Sequence, residues 1–162
     1  MPLGSAEALS LAGMMGSGKS TVAGILGRLL RRPVVSTDAR VEALAGKPVA
    51  RIFAEEGEAA FRALERRVVG SLAGPVVVDL GGGAFCDPES ARRLLSIGRV
   101  VFLDVSEREA ARRIGAGAGR PLAASWPGLL RRRLPDYRRA HHTVAVDGLG
   151  PEAVARRVLG AL

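Results

Sequence analysis

Cysteine, aromatic residues and lysine are all scarce in this 162-residue chain, and each scarcity excludes something. Cys86 is the sole cysteine, so no disulfide can form within the chain. Placed just after a glycine turn, it reads as a small buried apolar residue rather than a nucleophile. Aromatics are 4% of residues and do not interleave with the basic groups as a stacking platform for nucleic acid would. No apolar run approaches the ~18 residues of a membrane span. The N-terminus lacks a basic region followed by an apolar stretch, and residues 1–7 read as a small, polar lead-in. No membrane partner is expected, and a cytoplasmic protein is.

An apolar content of 48% with 25% charged residues is that of a globular chain, and the length fits one domain over residues 1–162. The net charge of +8 raises the question of nucleic acid. Its arginines, however, come as scattered pairs such as Arg31-Arg32, Arg66-Arg67 and Arg92-Arg93, within or at the ends of amphipathic helical patterns. That is a solvated-face arrangement, and no nucleic-acid partner is expected. The densest cluster, Arg131 to Arg133 with Arg138 and Arg139, is suited to attracting small anionic substrates.

The two lysines are Lys19 and Lys47, and Lys19 stands in the most informative stretch of the chain. An apolar run from Ala8 to Ala12 breaks at Gly13 and leads into Gly16-Ser17-Gly18-Lys19-Ser20-Thr21. Gly13, Gly18, Lys19 and Ser20 satisfy G-x-x-x-x-G-K-S, and an apolar helical pattern follows at once (Val22, Ile25, Leu26, Leu29). Strand, glycine loop and helix are the context a phosphate-binding loop requires. Backbone N–H groups reach a polyphosphate only where no Cβ intervenes, and the helix beginning near Lys19 adds free N–H groups and a positive dipole end. Lys19 is placed to reach the β- and γ-phosphates, and the Ser20 hydroxyl to ligate Mg²⁺.

The rest of the chain alternates strand and helix. Pro33 to Ser36 reads as a short strand, and helical patterns follow from Asp38, from Pro48 and from Glu58 to about Leu72. Arg62 and Glu65 stand three apart on one helix, close enough to pair. Val76 to Leu80 is a strand apolar on both faces and closed by Asp79, as in the middle of a covered parallel sheet. Asp87-Pro88 starts a helix, Val100 to Asp104 is a strand, and Ser106 with Glu109 forms a capping box. Residues 115–126 break the rhythm with glycines and alanines around Arg120-Pro121, and read either as a mobile lid or as an inert loop. A helix is expected from about Pro127 to Ala140, bent or interrupted at Pro135. A last strand, Thr143 to Asp147, precedes a helix opened by Pro151. The alternation implies a single α/β domain with a parallel sheet.

These motifs together resemble the shikimate kinase family, P-loop kinases that phosphorylate the 3-hydroxyl of shikimate with MgATP. The resemblance rests on GMMGSGKST at 13–21, Asp38 with Glu42, IFAEEGEAAFRALE at 52–65, VVVDLGGGA at 76–84, Arg120-Pro121 and Tyr137-Arg138-Arg139. It implies a three-layer fold with five parallel strands ordered 2-3-1-4-5, and a helical substrate-binding region at 38–65. It further implies that Arg62 and Arg138 hold the substrate carboxylate and that Glu65 steadies Arg62. Asp38 would orient or deprotonate the attacking hydroxyl, while Gly81, Gly82 and Gly83 let backbone approach the ring and Phe53 and Phe61 line the pocket. Gly16 through Thr21 would bind the triphosphate, Arg120 would reach the transferring phosphoryl group, Arg113 would lie against adenine and Pro151 would edge it. ATP, Mg²⁺ and shikimate are the implied ligands, acting on a monomer. Two other readings are a polyol or gluconate-type kinase of the same fold and a nucleotide-binding regulatory module that has lost turnover.

One departure stands out. The family usually carries Asp-x-Asp at the end of strand two, with the first acid holding Mg²⁺ through water, whereas this chain has Ser36-Thr37-Asp38. Asp79 has the form of a Walker B acid and is expected to take over. The alternative is a strand-end aspartate satisfied by the glycine amides after it.

Overall fold

The computed structural model describes residues 2–118 and 124–162. Five strands form one parallel sheet: β1 (Ala8–Ala12), β2 (Val34–Ser36), β3 (Val77–Asp79), β4 (Gly98–Asp104) and β5 (His142–Ala145). Their order is β2-β3-β1-β4-β5. The eight α-helices among the described residues are α1 (Lys19–Leu30), α2 (Thr37–Ala45), α3 (Val49–Glu56), α4 (Glu58–Gly70), α5 (Pro88–Ile97), α6 (Glu107–Ala118), α7 (Trp126–Tyr137) and α8 (Pro151–Ala161).

The central strand β1 is buried along its whole length, in keeping with its uninterrupted run of small and apolar residues. The crossover from β1 passes over β3 to β2, and every later crossover runs back the other way. Right-handed crossovers therefore place α1 on one face and α4 and α5 on the other, and α8, which follows the last strand, packs against α1. The neighbours β1 and β3 send their chains to opposite faces, so a crevice opens beyond their C-terminal ends. The glycine loop leaves β1 there, and Gly81-Gly82-Gly83 leaves β3 beside it. A smaller apolar cluster of Val41, Ile52, Phe61 and Val68 holds α2, α3 and α4 together at the same edge.

Several local features differ from the sequence expectation. β4 begins at Gly98, because that residue pairs with Ala8 at the start of β1. Only half of the capping box after β4 forms. Glu109 N–H donates to Ser106 Oγ at 3.2 Å, but the Glu109 carboxylate accepts from Arg112 and Arg113, and Asp147 accepts from the Ser106 amide at 2.9 Å. α7 runs through Pro135, two residues before its end, so the proline does not interrupt it. Helix α6 continues through Gly115 to Ala118, inside the stretch read as a loop. Residues 119–123, with Arg120 and Pro121, lie outside the described residues.

Candidate active site

The glycine loop curls over the start of α1. Gly16 and Gly18 have φ of 88° and 85°, a left-handed backbone that favours glycine, and Gly18 is the N-cap of α1. Gly16, Gly18, Lys19, Ser20 and Thr21 line a cleft of about 1060 Å³, whereas Ser17 is buried beneath the loop. Lys19 Nζ donates to Gly13 O at 2.7 Å and Met14 O at 3.2 Å. Burial lowers the Lys19 pKa from 10.5 to about 8, against the opposing pull of the Asp79 and Asp38 carboxylates.

Asp79 does not turn to the glycine amides. Its Oδ2 accepts from Ser20 Oγ at 2.6 Å, and the Gly81 amide donates instead to Thr37 Oγ1 at 2.8 Å. In the parallel pairing of β2 with β3, Ser36 lies directly opposite Asp79. The acid absent from position 36 is thus matched by one on the neighbouring strand at the same level. Ser36 itself is occupied, its Oγ accepting from Ala39 N at 3.2 Å as the cap of α2.

The second half of the cleft is acidic and basic by turns. Arg62 donates to Glu65 Oε1 at 2.7 Å, and its guanidinium lies 5.2 Å from the centre of the Phe61 ring. Phe61 is buried and Phe53 half-open, with ring centres 4.7 Å apart. Asp38 Oδ1 and Glu65 Oε2 are buried oxygens without a hydrogen-bond partner among the described residues. Burial raises the pKa of both, reinforced at Asp38 by the nearby Asp79 charge; at Glu65 burial outweighs the Arg62 pairing. Both carboxylates line the open cleft, which suits a ligand that brings hydroxyl groups.

Each of the three glycines after β3 abuts one of these side chains. A Cβ on Gly81 would overlap Asp38 Oδ1, one on Gly83 would overlap the Arg62 guanidinium, and one on Gly82 would stand 2.8 Å from the Arg133 guanidinium. Close approach, rather than a left-handed backbone, is what requires glycine here.

Arg133 is the residue that sequence reasoning missed. The expectation placed Arg138 in the carboxylate clamp, but Arg138 is exposed and does not line the cleft. Its α7 neighbour Tyr137 is fully buried, with the phenol donating to Gly82 O, and Arg133 lies one turn earlier on the same face. The signal was available: Trp126, Leu129 or Leu130, Arg133 and Tyr137 recur at helical spacing, and Arg138 falls off that stripe.

At the far end of the cleft, Arg113 and Pro151 both line the wall. Arg113 donates to Glu109 Oε1 at 2.9 Å, Ser17 O at 3.2 Å, Val146 O at 3.0 Å and Leu149 O at 3.2 Å. Cys86 is half-buried, and burial pushes its thiol up to about 11, consistent with an unreactive packing role. No described helix is long and apolar enough to cross a membrane.

Against known proteins, the family model described as shikimate kinase matches residues 15–162. A shikimate kinase from Salinispora arenicola is 46% identical over 160 residues, covering 94% of this chain and 95% of that protein. One from Thermobifida fusca is 45% identical over 156 residues, covering 91% of this chain and 90% of its own length. Among solved structures, shikimate kinase from Acinetobacter baumannii in complex with shikimate superposes with a TM-score of 0.84 at 30% identity, covering 94% of this chain and 90% of the other. With the phosphate loop, the sheet order and the full-length similarity in agreement, this chain belongs to the shikimate kinase family.

Proposed function

We propose that this chain carries out the shikimate kinase reaction with Arg62 and Arg133 as the carboxylate clamp and Asp38 as the base. The observation that carries this reading is the set of groups around Gly81-Gly82-Gly83. Two guanidinium groups and a buried, unpartnered carboxylate oxygen converge on the same three glycines. Shikimate is a small carboxylate with ring hydroxyls, so forked cations and free acceptors match it group for group. A neutral polyol would bring no anion to Arg133, which disfavours it, whereas gluconate, itself a carboxylate, is disfavoured by family membership.

In the reaction, the 3-hydroxyl oxygen forms a bond to the γ-phosphorus of ATP while the bond to the departing ADP oxygen breaks. The hydroxyl proton passes to the Asp38 carboxylate, which lines the cleft. A raised pKa makes Asp38 a stronger base than an ordinary aspartate, and its own charge is steadied by Lys19 and Arg62. Lys19 offsets charge on the β- and γ-phosphates, so catalysis is mainly positioning and electrostatics. The transfer role given to Arg120 rests on the motif resemblance alone. Gly16 through Thr21 hold the triphosphate, and Arg113 and Pro151 flank the base. A monomeric, cytoplasmic enzyme is part of the same proposal.

The donor set beside the phosphate loop fits Mg²⁺. A hydroxyl and a carboxylate 2.6 Å apart are hard oxygen donors next to where the phosphates lie. Ser20 would ligate the ion and Asp79 would hold its water, and the ion would neutralise phosphate charge. Asp79→Ser is expected to weaken the Mg²⁺-dependence of ATP binding about tenfold, read by titrating Mn²⁺ with its paramagnetic resonance signal. Adding Ser36→Asp should restore most of it, because position 36 lies directly opposite 79 on the paired strands and an aspartate there still caps α2. Unchanged metal affinity in Asp79→Ser would overturn the assignment.

The functional conclusion itself is tested by ADP release measured with shikimate and with a panel of neutral polyols. Release with shikimate alone, and a phosphomonoester at its 3-position by phosphorus resonance, is the expected result. Equal turnover of the polyols would refute the clamp.

A further inference from the structure

The phosphate loop is held by its carbonyl groups, and one of its tethers comes from far along the chain. Lys19 holds the carbonyls of Gly13 and Met14, and Arg113 holds that of Ser17. The carbonyl of Met15 accepts from the indole N–H of Trp126 at 3.0 Å. Trp126 is 3% exposed and begins α7, the helix that also carries Arg133 and Tyr137. The peptide unit joining Met15 to Gly16 has no side-chain anchor of its own: the Met15 side chain is 67% exposed and Gly16 has none.

We infer that Trp126 is a positioning residue for nucleotide binding. No cis peptide occurs among the described residues, and in a trans unit the C=O and N–H point in opposite directions. Fixing the Met15 carbonyl on the indole therefore fixes the direction of the Gly16 N–H, one of the donors a phosphate loop relies on. Without the tether that unit is left as the central peptide of a turn closed only by the Ser17 N–H to Met14 O bond at 3.2 Å, and ATP must fix its orientation on binding. The cost falls on nucleotide affinity rather than on the acid-binding half. There, Tyr137 and Arg133 keep their own contacts to Gly82 and Met14.

This inference rests on the reading of residues 13–20 as the ATP site. Trp126 is the only tryptophan, so global incorporation of benzothienylalanine replaces it alone with an isostere that lacks the N–H. Trp126→Phe is the companion variant. Calorimetric titration with MgATP and, separately, with shikimate reads the two halves, and thermal melting reads the fold. ATP binding weakened about five- to tenfold, with shikimate affinity within twofold of the unmodified protein and melting nearly unchanged for the isostere, is expected. ATP affinity unchanged in the isostere, or ATP and shikimate weakened equally, would overturn the role of Trp126. Failure of the unmodified protein to bind ATP would instead overturn the ATP site itself.

Discussion

Replacing Lys19 with methionine is expected to abolish phosphoryl transfer, with kcat/KM down by at least about 10³-fold, while leaving the protein folded and slightly more stable at pH 7. The activity loss follows from removing the Lys19 ammonium from the phosphate loop, in a site where a preorganised charge is worth several kcal/mol. The stability gain follows from the depressed pKa. In the folded chain Lys19 titrates at about 8 rather than 10.5, chiefly because burial penalises its charge. Between those values the unfolded chain binds more protons than the folded one, so stability rises with pH across that window. The penalty is fully present below pH 8 and gone above about 10.5. Cleft water screens part of it, and the carbonyls of Gly13 and Met14 lose their donor in the variant, so the gain at pH 7 is only about 1 kcal/mol. Binding of a triphosphate reverses the balance by favouring the charged amine. Above pH 8 the unmodified protein should therefore take up a proton as it binds ATP, and its affinity should fall up to tenfold per pH unit. Calorimetry at pH 8.5 in two buffers of different ionisation enthalpy reads that uptake, and Lys19→Met should lack it.

What the sequence made readable was whatever is built from consecutive residues. The phosphate loop is such a case: its glycines, lysine and hydroxyl residues are adjacent because the loop folds around one group. Arg62 and Glu65 are another, since a helix brings residues three apart together without help from the rest of the chain. The strand order itself came through resemblance, since periodicity gives strands but not their neighbours. Asp79 was readable as a strand-end acid, but its partner was not. Its bond to Ser20 spans 59 positions, and its alignment with Ser36 exists only once β2 and β3 pair. The bond made by Trp126 has no local signature, because the carbonyl it holds is 111 residues away in sequence. Ser106 and Glu109 matched a capping box, yet two arginines on the same helix compete for Glu109 and win its carboxylate.

The expectation for Arg138 rests on the adjacent letters Tyr-Arg-Arg, whereas helical period carries the buried face of Tyr137 back to Arg133, which lines the cleft. The two arginines now give the sharpest contrast available in the molecule. Arg133→Ala is expected to raise the KM for shikimate about 100-fold, and Arg138→Ala to change it less than twofold. A charge-assisted, forked hydrogen bond to a carboxylate contributes about 1.5–3 kcal/mol, which is roughly 10- to 150-fold in binding. Arg133 sits at the upper end because it is half-buried and its guanidinium packs against Gly82 and Met14, so little freedom is lost when the acid arrives. Arg133→Lys should recover only part of the loss, since an ammonium supplies the charge but not the fork. Arg138 is exposed just beyond the end of α7 and faces solvent, where a charge acts on the cleft only through screened, longer-range attraction. Steady-state kinetics at two ionic strengths separates the contributions. The Arg133→Ala defect should persist in high salt, while any small effect of Arg138→Ala should vanish there. A larger KM change for Arg138→Ala than for Arg133→Ala would move the clamp back to the exposed residue and contradict the geometry of α7.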